Sequence, residues 1–181
     1  MMPPAMSLRR LHALDDGQIG QLASVLIDCV EGGASVSFMW PLAHHKALAF
    51  WQGVMDSARR GERIVLVAED VESDTVVGTV QLLLAMPDNQ PHRADVAKML
   101  VHRRARRRGL GAALMRAAEA AARGAGKTLL VLDTVTGGDA ERLYSRLGWQ
   151  RVGVIPGYAL WPNGGPCDTT YFYKLLAAAP P

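Results

Sequence analysis

The chain has 181 residues, 49% of them hydrophobic and 20% charged, which fits one globular domain with a self-sufficient core. Its two cysteines, Cys29 and Cys167, form no CxxC pair, and no uncharged apolar run reaches the roughly 18 residues of a membrane span. A zinc ribbon, a disulfide scaffold and a helical membrane protein are thereby disfavoured, and a reducing compartment is expected. The net charge of +3 is local: without Arg103, Arg104, Arg106, Arg107 and Arg108, fifteen basic side chains face seventeen acidic ones and the remainder is −2. Met1 to Ser7 has no apolar stretch behind a basic start, so no signal peptide and a cytoplasmic location are expected. Residues 1–6 and 177–181 are expected to be loose ends of a single domain spanning 1–181.

Leu8 to Leu14 reads as a short edge strand, and Asp15 and Asp16 as helix caps. Ile19, Leu22, Leu26 and Cys29 then recur at helical spacing until Gly32-Gly33. A loop from Ala34 to Trp40 leads to Pro41, which is expected to open a second helix with Ala47, Leu48, Trp51, Met55 and Ala58 inward. Ile64 to Ala68 and Thr75 to Leu84 read as strands around a polar turn, and Met86 to His92 as a further turn. Arg93 to Val101 alternates weakly, with Asp95, Ala97, Met99 and Val101 expected on one face. Gly109 to Gly124 is an alanine-rich helix with an expected stripe of Leu110, Ala113, Leu114, Ala117 and Ala121. Thr128 to Leu132 has the look of a strand buried on both faces. A short helix from Gly138 to Leu147 and strands from Trp149 to Ile155 and Thr169 to Leu176 complete the chain. This order predicts an α/β (α+β) fold: a mixed, mostly antiparallel sheet of seven strands with helices on both faces. One parallel pair is expected, from the strand–helix–strand unit Arg93 to Leu132.

Between that strand and helix stands Arg106-Arg107-Arg108-Gly109-Leu110-Gly111-Ala112. The first turn of a helix offers unpaired N–H groups and a positive dipole end, glycine permits close approach, and arginine adds charge-assisted hydrogen bonds. The segment therefore reads as an anion site, most naturally for a pyrophosphate. A dinucleotide fingerprint requires a small residue where Leu114 stands, which disfavours an oxidoreductase. Gly126-Lys127-Thr128 lacks the earlier glycine of a P-loop and runs from helix into strand. A polyanion- or nucleic-acid-binding module using Arg103 to Arg108 is the alternative from another class, disfavoured by the acidic remainder. His44, His45, His92 and His102 show no metal-ligand spacing, so no metal is expected.

Arg106-x-x-Gly109-x-Gly111 after an apolar strand resembles the acetyl-CoA motif of the GNAT N-acetyltransferases, and the element order matches along nearly the whole chain. Gly32 to Val36, Phe38-Met39, Leu132-Asp133-Thr134, Tyr144-Ser145 and Pro156-Gly157-Tyr158 further resemble the tabtoxin-resistance branch. Two positions depart from the family's pattern: Arg103, where many members have proline, and about Gly137, where asparagine is frequent. The resemblance implies acetyl-CoA lying in a V between the strands ending at Val101 and Asp133. Its pyrophosphate would meet the backbone of Arg106, Arg107, Arg108, Gly109, Leu110, Gly111 and Ala112, and its pantetheine the backbone near Met99 and Val101. A small-molecule amine, such as tabtoxinine-β-lactam or another amino-acid-like toxin or antibiotic, would be the acceptor. The protein would act as a monomer or homodimer, with CoA as product.

Acetyl transfer to an amine requires removal of the amine proton, stabilisation of an oxyanion and departure of a thiolate. Asp95 and Asp133 are the candidate bases, acting directly or through water, because the resemblance places acids at both positions. Asp95 lies about 13 Å along the strand from Met99, and Asp133, following an apolar strand, is expected to be buried. Tyr144 would be the general acid to the CoA sulfur, a phenol with a pKa near 10 serving a thiol near 8.5. An oxyanion donor is expected near Leu100 if the strand bulges there. Ser35, Phe38 and Trp40 in the first interhelical loop, with Tyr158 and Trp161 near the chain's end, would line the acceptor pocket.

Overall fold

A computed structural model describes residues 6–12 and 16–177. The elements are β1 (Met6–Leu11), α1 (Asp16–Glu31), α2 (His44–Arg59), β2 (Arg63–Asp70), β3 (Thr75–Leu83) and β4 (Arg93–Val101), followed by a 3-10 turn at Arg103–Ala105. After that turn come α3 (Leu110–Gly124), β5 (Leu129–Val135), α4 (Asp139–Arg146), β6 (Gln150–Leu160) and β7 (Pro166–Leu175). One seven-stranded sheet runs β1-β2-β3-β4-β5-β7-β6. Every neighbouring pair is antiparallel except β4 and β5, which are parallel and joined through α3. The mixed sheet and its single parallel pair are those expected from the element order.

Two apolar clusters sandwich the sheet. One joins Ile64, Leu82, Val96, Leu130 and Phe172 to Leu110, Leu114 and Met115 of α3. The other joins Val65, Val67 and Leu100 to Leu22 and Leu26 of α1 and to Trp51 and Met55 of α2. Helices α1 and α2 contact β2, β3 and β4, so the same face of β5, β7 and β6 is left without a helix. For that reason β5 is not buried on both faces: Leu130 and Leu132 are buried, whereas Leu129 and Val131 are only partly so.

Other departures have local causes. Trp40–Pro41 is a cis bond in a turn, the Trp40 N–H donates to the Pro162 carbonyl at 2.9 Å, and α2 begins at His44 rather than at Pro41. The buried stripe of α3 includes Met115, Ala118, Glu119 and Ala122, turned about one residue from expectation. Buried Glu119 explains the turn: it accepts from Trp149 Nε1 at 3.2 Å and Lys174 Nζ at 2.7 Å. Strand β6 continues past Ile155 to Leu160, irregularly paired between Ile155 and Ala159. The segment around Pro156 is therefore strand rather than loop, and the link to β7 shortens to residues 161–165. Met6 is buried in β1 and so is not loose, and Leu176, just past β7, is buried with its N–H on the Thr128 carbonyl at 2.8 Å. The other expected loose residues at 1–5 and 178–181, with Asp15 as a cap, lie outside the described residues. No helix among the described residues is long and apolar enough to cross a membrane.

The loop after β4 is tied to α1. Asp28 accepts from the Arg103 N–H and from Arg103 Nε, both at 2.8 Å, while Arg103 Nη2 reaches Glu31 at 2.6 Å. Burial raises the Asp28 pKa, but the Arg103 bonds and the His102 and Arg103 charges outweigh it and hold the carboxyl below its usual value. A depressed folded-state pKa contributes stability above the unfolded pKa, near 3.9, that is lost as pH falls through the folded one. Asp28→Asn is therefore expected to lower the urea midpoint at about pH 7 and to flatten its decline toward about pH 3. Parallel curves for variant and parent would contradict the linkage.

Candidate active site

Strands β4 and β5 pair only at Arg93–Leu129, Ala94–Leu130 and Asp95–Val131. Beyond that rung they diverge, and a cleft of about 1260 Å³ opens between Val96–Val101 on one side and Leu132–Val135 on the other. Lys98 and Met99 together oppose the single Val80 of β3, a bulge immediately before Leu100, and Lys98 has φ +50°. A bulge leaves its extra residue outside the ladder and reverses the faces of the residues beyond it. Met99 and Val101 consequently pack with Ala94 and Val96 against α3, not on the face of Asp95 and Ala97 where simple alternation puts them.

At the outer end of the V, Arg106 Nε donates to the Val101 carbonyl at 3.0 Å, with Nη2 3.7 Å from Cys29 Sγ. Burial pushes the Cys29 thiol up, so it is no ready thiolate. Arg103 is bound to α1, and Arg104 Nη2 donates to Thr75 Oγ1 at 3.1 Å. The arginine run is thus divided: its first two members brace the fold. Arg106 and Arg107 line the cleft, whereas Arg108 does not. Gly109 has φ +78° and caps α3, and Ala113 is the first residue whose N–H bonds back to it, at 3.1 Å. The N–H groups of Leu110, Gly111 and Ala112 thus lack intrahelical acceptors where α3 meets the cleft. A Cβ on Gly111 would lie 3.0 Å from Leu143 Cδ2, whereas one on Gly109 would meet nothing within 4 Å. Gly111 thus lies tight against Leu143, and Gly109 holds a left-handed conformation that favours glycine.

The inner end is roofed by two segments bonded to each other. Ser35 Oγ donates to the Leu160 carbonyl at 2.8 Å, and Trp40 to Pro162 as above. Ser35, Phe38, Tyr158 and Trp161 line the cleft, while Trp40 lies outside its lining. The Ser35 hydroxyl is engaged in joining the roof. Tyr158 Oη lies 2.9 Å from Tyr171 Oη, and that bond, then burial and the Asp133 charge, push the Tyr171 phenol up to about 12.

Of the two acids, Asp133 lies in the cleft and Asp95 does not. Asp95 sits on the last paired rung, hydrogen-bonded to Arg93. Asp133 is exposed, against the expected burial, because no helix covers this face of β5. Its Oδ2 accepts from Thr169 Oγ1 at 3.0 Å. Tyr144 lies across the sheet, 5% exposed, with its ring among Trp149 and Phe172 and its edge in the cleft. Burial first, and the Asp133 charge second, raise its pKa far above the ordinary phenol value. Sequence reasoning missed Lys98 and Thr169, both of which line the cleft. A bulge leaves no mark in composition, though a lysine interrupting the alternation was a weak one. Among the described residues no group of three or more His, Cys, Asp or Glu is placed to hold a metal.

Residues 29–149 match the sequence model of the acetyltransferase (GNAT) family. The chain belongs to the GNAT acetyltransferase family. Solved structures at low identity share its fold. One is a candidate acetyltransferase from Salmonella typhimurium with its cofactor acetyl-CoA, at TM-score 0.73 and 22% identity, covering 98% of each chain. A ribosomal-protein-alanine N-acetyltransferase from Brucella melitensis has TM-score 0.76 and 22% identity over 94% of this chain and 99% of that one. A candidate phosphinothricin N-acetyltransferase has TM-score 0.76 and 18% identity over 95% of this chain and 99% of that one. The acceptors in the last two names differ, so the GNAT fold by itself does not specify one.

GNAT enzymes use acetyl-CoA, and the residues present suit it. Three free amides at a helix start, an open αL glycine and two cleft-lining arginines are donors for a diphosphate. At the departure at Gly137, the Gly137 N–H donates to Glu141, which itself accepts from Thr170 Oγ1 at 3.0 Å.

Proposed function

We propose that this GNAT enzyme is an acetyl-CoA-dependent N-acetyltransferase for the amine of a small molecule, of the class of amino-acid-like toxins or antibiotics. The reading rests above all on Asp133 and Tyr144 lining the β4–β5 cleft, whose outer end meets the free amides of α3. When bound, acetyl-CoA supplies the acetyl group activated as a thioester. Asp133, held by Thr169, takes the proton of the amine directly or through a water. Asp95 is the weaker candidate, on the last paired rung and outside the cleft lining. Tyr144 keeps its proton at neutral pH and gives it to the departing sulfur. The β4 bulge leaves backbone amides around Lys98 to Leu100 available to a developing negative oxygen.

A roof bonded at Ser35–Leu160 and Trp40–Pro162 supports a small-molecule acceptor. The stretches Gly32 to Val36 and Leu132 to Thr134, which resemble the tabtoxin-resistance branch, line or border this space and support the toxin class. Buried free cysteines at 29 and 167 suit a reducing, cytoplasmic setting. Calorimetric titration with acetyl-CoA should show saturable binding, and an amine panel including tabtoxinine-β-lactam should show thiol release. Asp133→Asn should lower kcat about a hundredfold while leaving acetyl-CoA affinity within about twofold. No binding at about millimolar acetyl-CoA would overturn the reading.

A further inference from the structure

The Lys98 side chain has no role in the chemistry above, yet the residue is held at a conformational cost. Its φ of +50° is a left-handed conformation that costs a non-glycine residue about 1 kcal/mol. From the bulge its side chain reaches the interhelical loop, where Nζ donates to Ser37 Oγ at 3.0 Å and lies 5.8 Å from the centre of the Phe50 ring. Ser37 also has positive φ, +78°, so both ends of this contact are unusual backbone. Lys98 and Ser37 both line the cleft.

An ammonium has three donors, and Ser37 meets one of them. Among the described residues no carboxylate stands within ion-pair distance of Nζ. Burial lowers the Lys98 pKa, and the nearby Arg63 charge lowers it further, against the opposing pull of Asp133. A partly buried cation with a like charge nearby and no carboxylate partner, whose remaining donors face the open cleft, is placed to receive an anion there. The opposite wall has the contrary character, with the Asp133 carboxylate, the Thr169 hydroxyl that donates to it, and the Tyr158 hydroxyl. The cleft therefore places a cationic group and an anionic group on facing walls, a complement to a molecule bearing both charges.

We infer that Lys98 binds the carboxylate of the acceptor, so that the enzyme selects amines that carry a carboxylate, with the amine at Asp133 and the carboxylate at Lys98. The inference rests on the N-acetyltransferase reading and assigns recognition of the acceptor's carboxylate to one side chain. It makes Lys98 a specificity residue: the ammonium discriminates between acceptors and takes no part in moving protons.

The test compares thiol release from acetyl-CoA with each free L-amino acid and with its carboxamide, in the parent, Lys98→Gln and Lys98→Arg. The best acid should exceed its amide in kcat/KM by about tenfold or more in the parent, the worth of one charge-assisted hydrogen bond. Lys98→Gln should bring that ratio within about twofold of unity, mainly through the KM of the acid, and Lys98→Arg should restore most of it. Equal losses in both arms would mean that Lys98 only holds the roof, and would overturn the inference. So would a parent that binds acetyl-CoA yet turns over no carboxylate-bearing amine, or shows no acid preference. A parent that fails to bind acetyl-CoA would overturn the acetyltransferase reading itself, and this inference with it.

Discussion

Replacing Tyr144 by phenylalanine should lower kcat about a hundredfold while leaving acetyl-CoA affinity within about twofold. The ring is 5% exposed and packs edge-on to Phe172 and at a tilt to Trp149, contacts that phenylalanine keeps. Its hydroxyl has no hydrogen-bond partner among the described residues, so the variant leaves none orphaned and should unfold within about 1 kcal/mol of the parent. Loss of rate with retention of fold and affinity is the signature of a proton donor rather than a packing residue. The environment also changes how that donor works. An ordinary phenol near 10 would sit close to a thiol near 8.5, but burial and the Asp133 charge raise Tyr144 well above that. Donation to the sulfur is then efficient only if the departing thiolate is desolvated in the same apolar place, which raises its own proton affinity. Tyr144 is active in its protonated form, and raising its pKa moves any alkaline loss of activity from this residue above about pH 10. An unchanged kcat in the variant removes the role. A parent profile with an alkaline limb near pH 9 that vanishes in Tyr144→Phe would show that the phenol is not held up as described.

What could be read in advance, and what could not, divides along physical lines. Periodicity located all eleven helices and strands named above, and connection lengths implied the one parallel pair, because both are local properties of the chain. The Arg106 to Ala112 segment was readable for the same reason: a helix start presents its amides wherever it occurs. Pairwise events between distant residues were not readable. The bulge opposite Val80 reversed the faces of Met99 and Val101, and with it produced Lys98 as a cleft residue. Glu119 rotated the buried stripe of α3 because Trp149 and Lys174, distant in sequence, meet it there. Asp133 and Asp95 both stood as candidate bases. They differ because β4 and β5 separate between them, one rung beyond Asp95. The arginine run looked like a single basic patch, but Arg103 was already committed to Asp28 and Glu31 of α1. The same tie accounts for the departure at Arg103, where a side chain anchors the loop in place of a rigid proline.

Gly109→Val should weaken acetyl-CoA binding by tenfold or more. Gly109 holds φ +78° as the N-cap of α3, a region nearly closed to β-branched residues. Valine there would strain the cap by about 1–2 kcal/mol or push the backbone out of the left-handed region. Either outcome turns the amides of Leu110, Gly111 and Ala112 away from a common focus. A Cβ at Gly109 meets nothing within 4 Å, so the cost of the substitution lies in the backbone conformation rather than in a clash at that atom. The global fold should therefore survive, with affinity falling more than stability. Gly111→Val makes the informative contrast. Its Cβ would lie 3.0 Å from Leu143 Cδ2 and 3.7 Å from Met99 Sδ, wedging α3 from α4 and β4. That variant should lose thermal stability as well as affinity, because Leu143 neighbours Tyr144 on α4. Thermal melts and acetyl-CoA calorimetry on the two variants separate the cases. A Gly109→Val enzyme that binds acetyl-CoA as tightly as the parent would mean that the amides at the start of α3 do not hold the diphosphate.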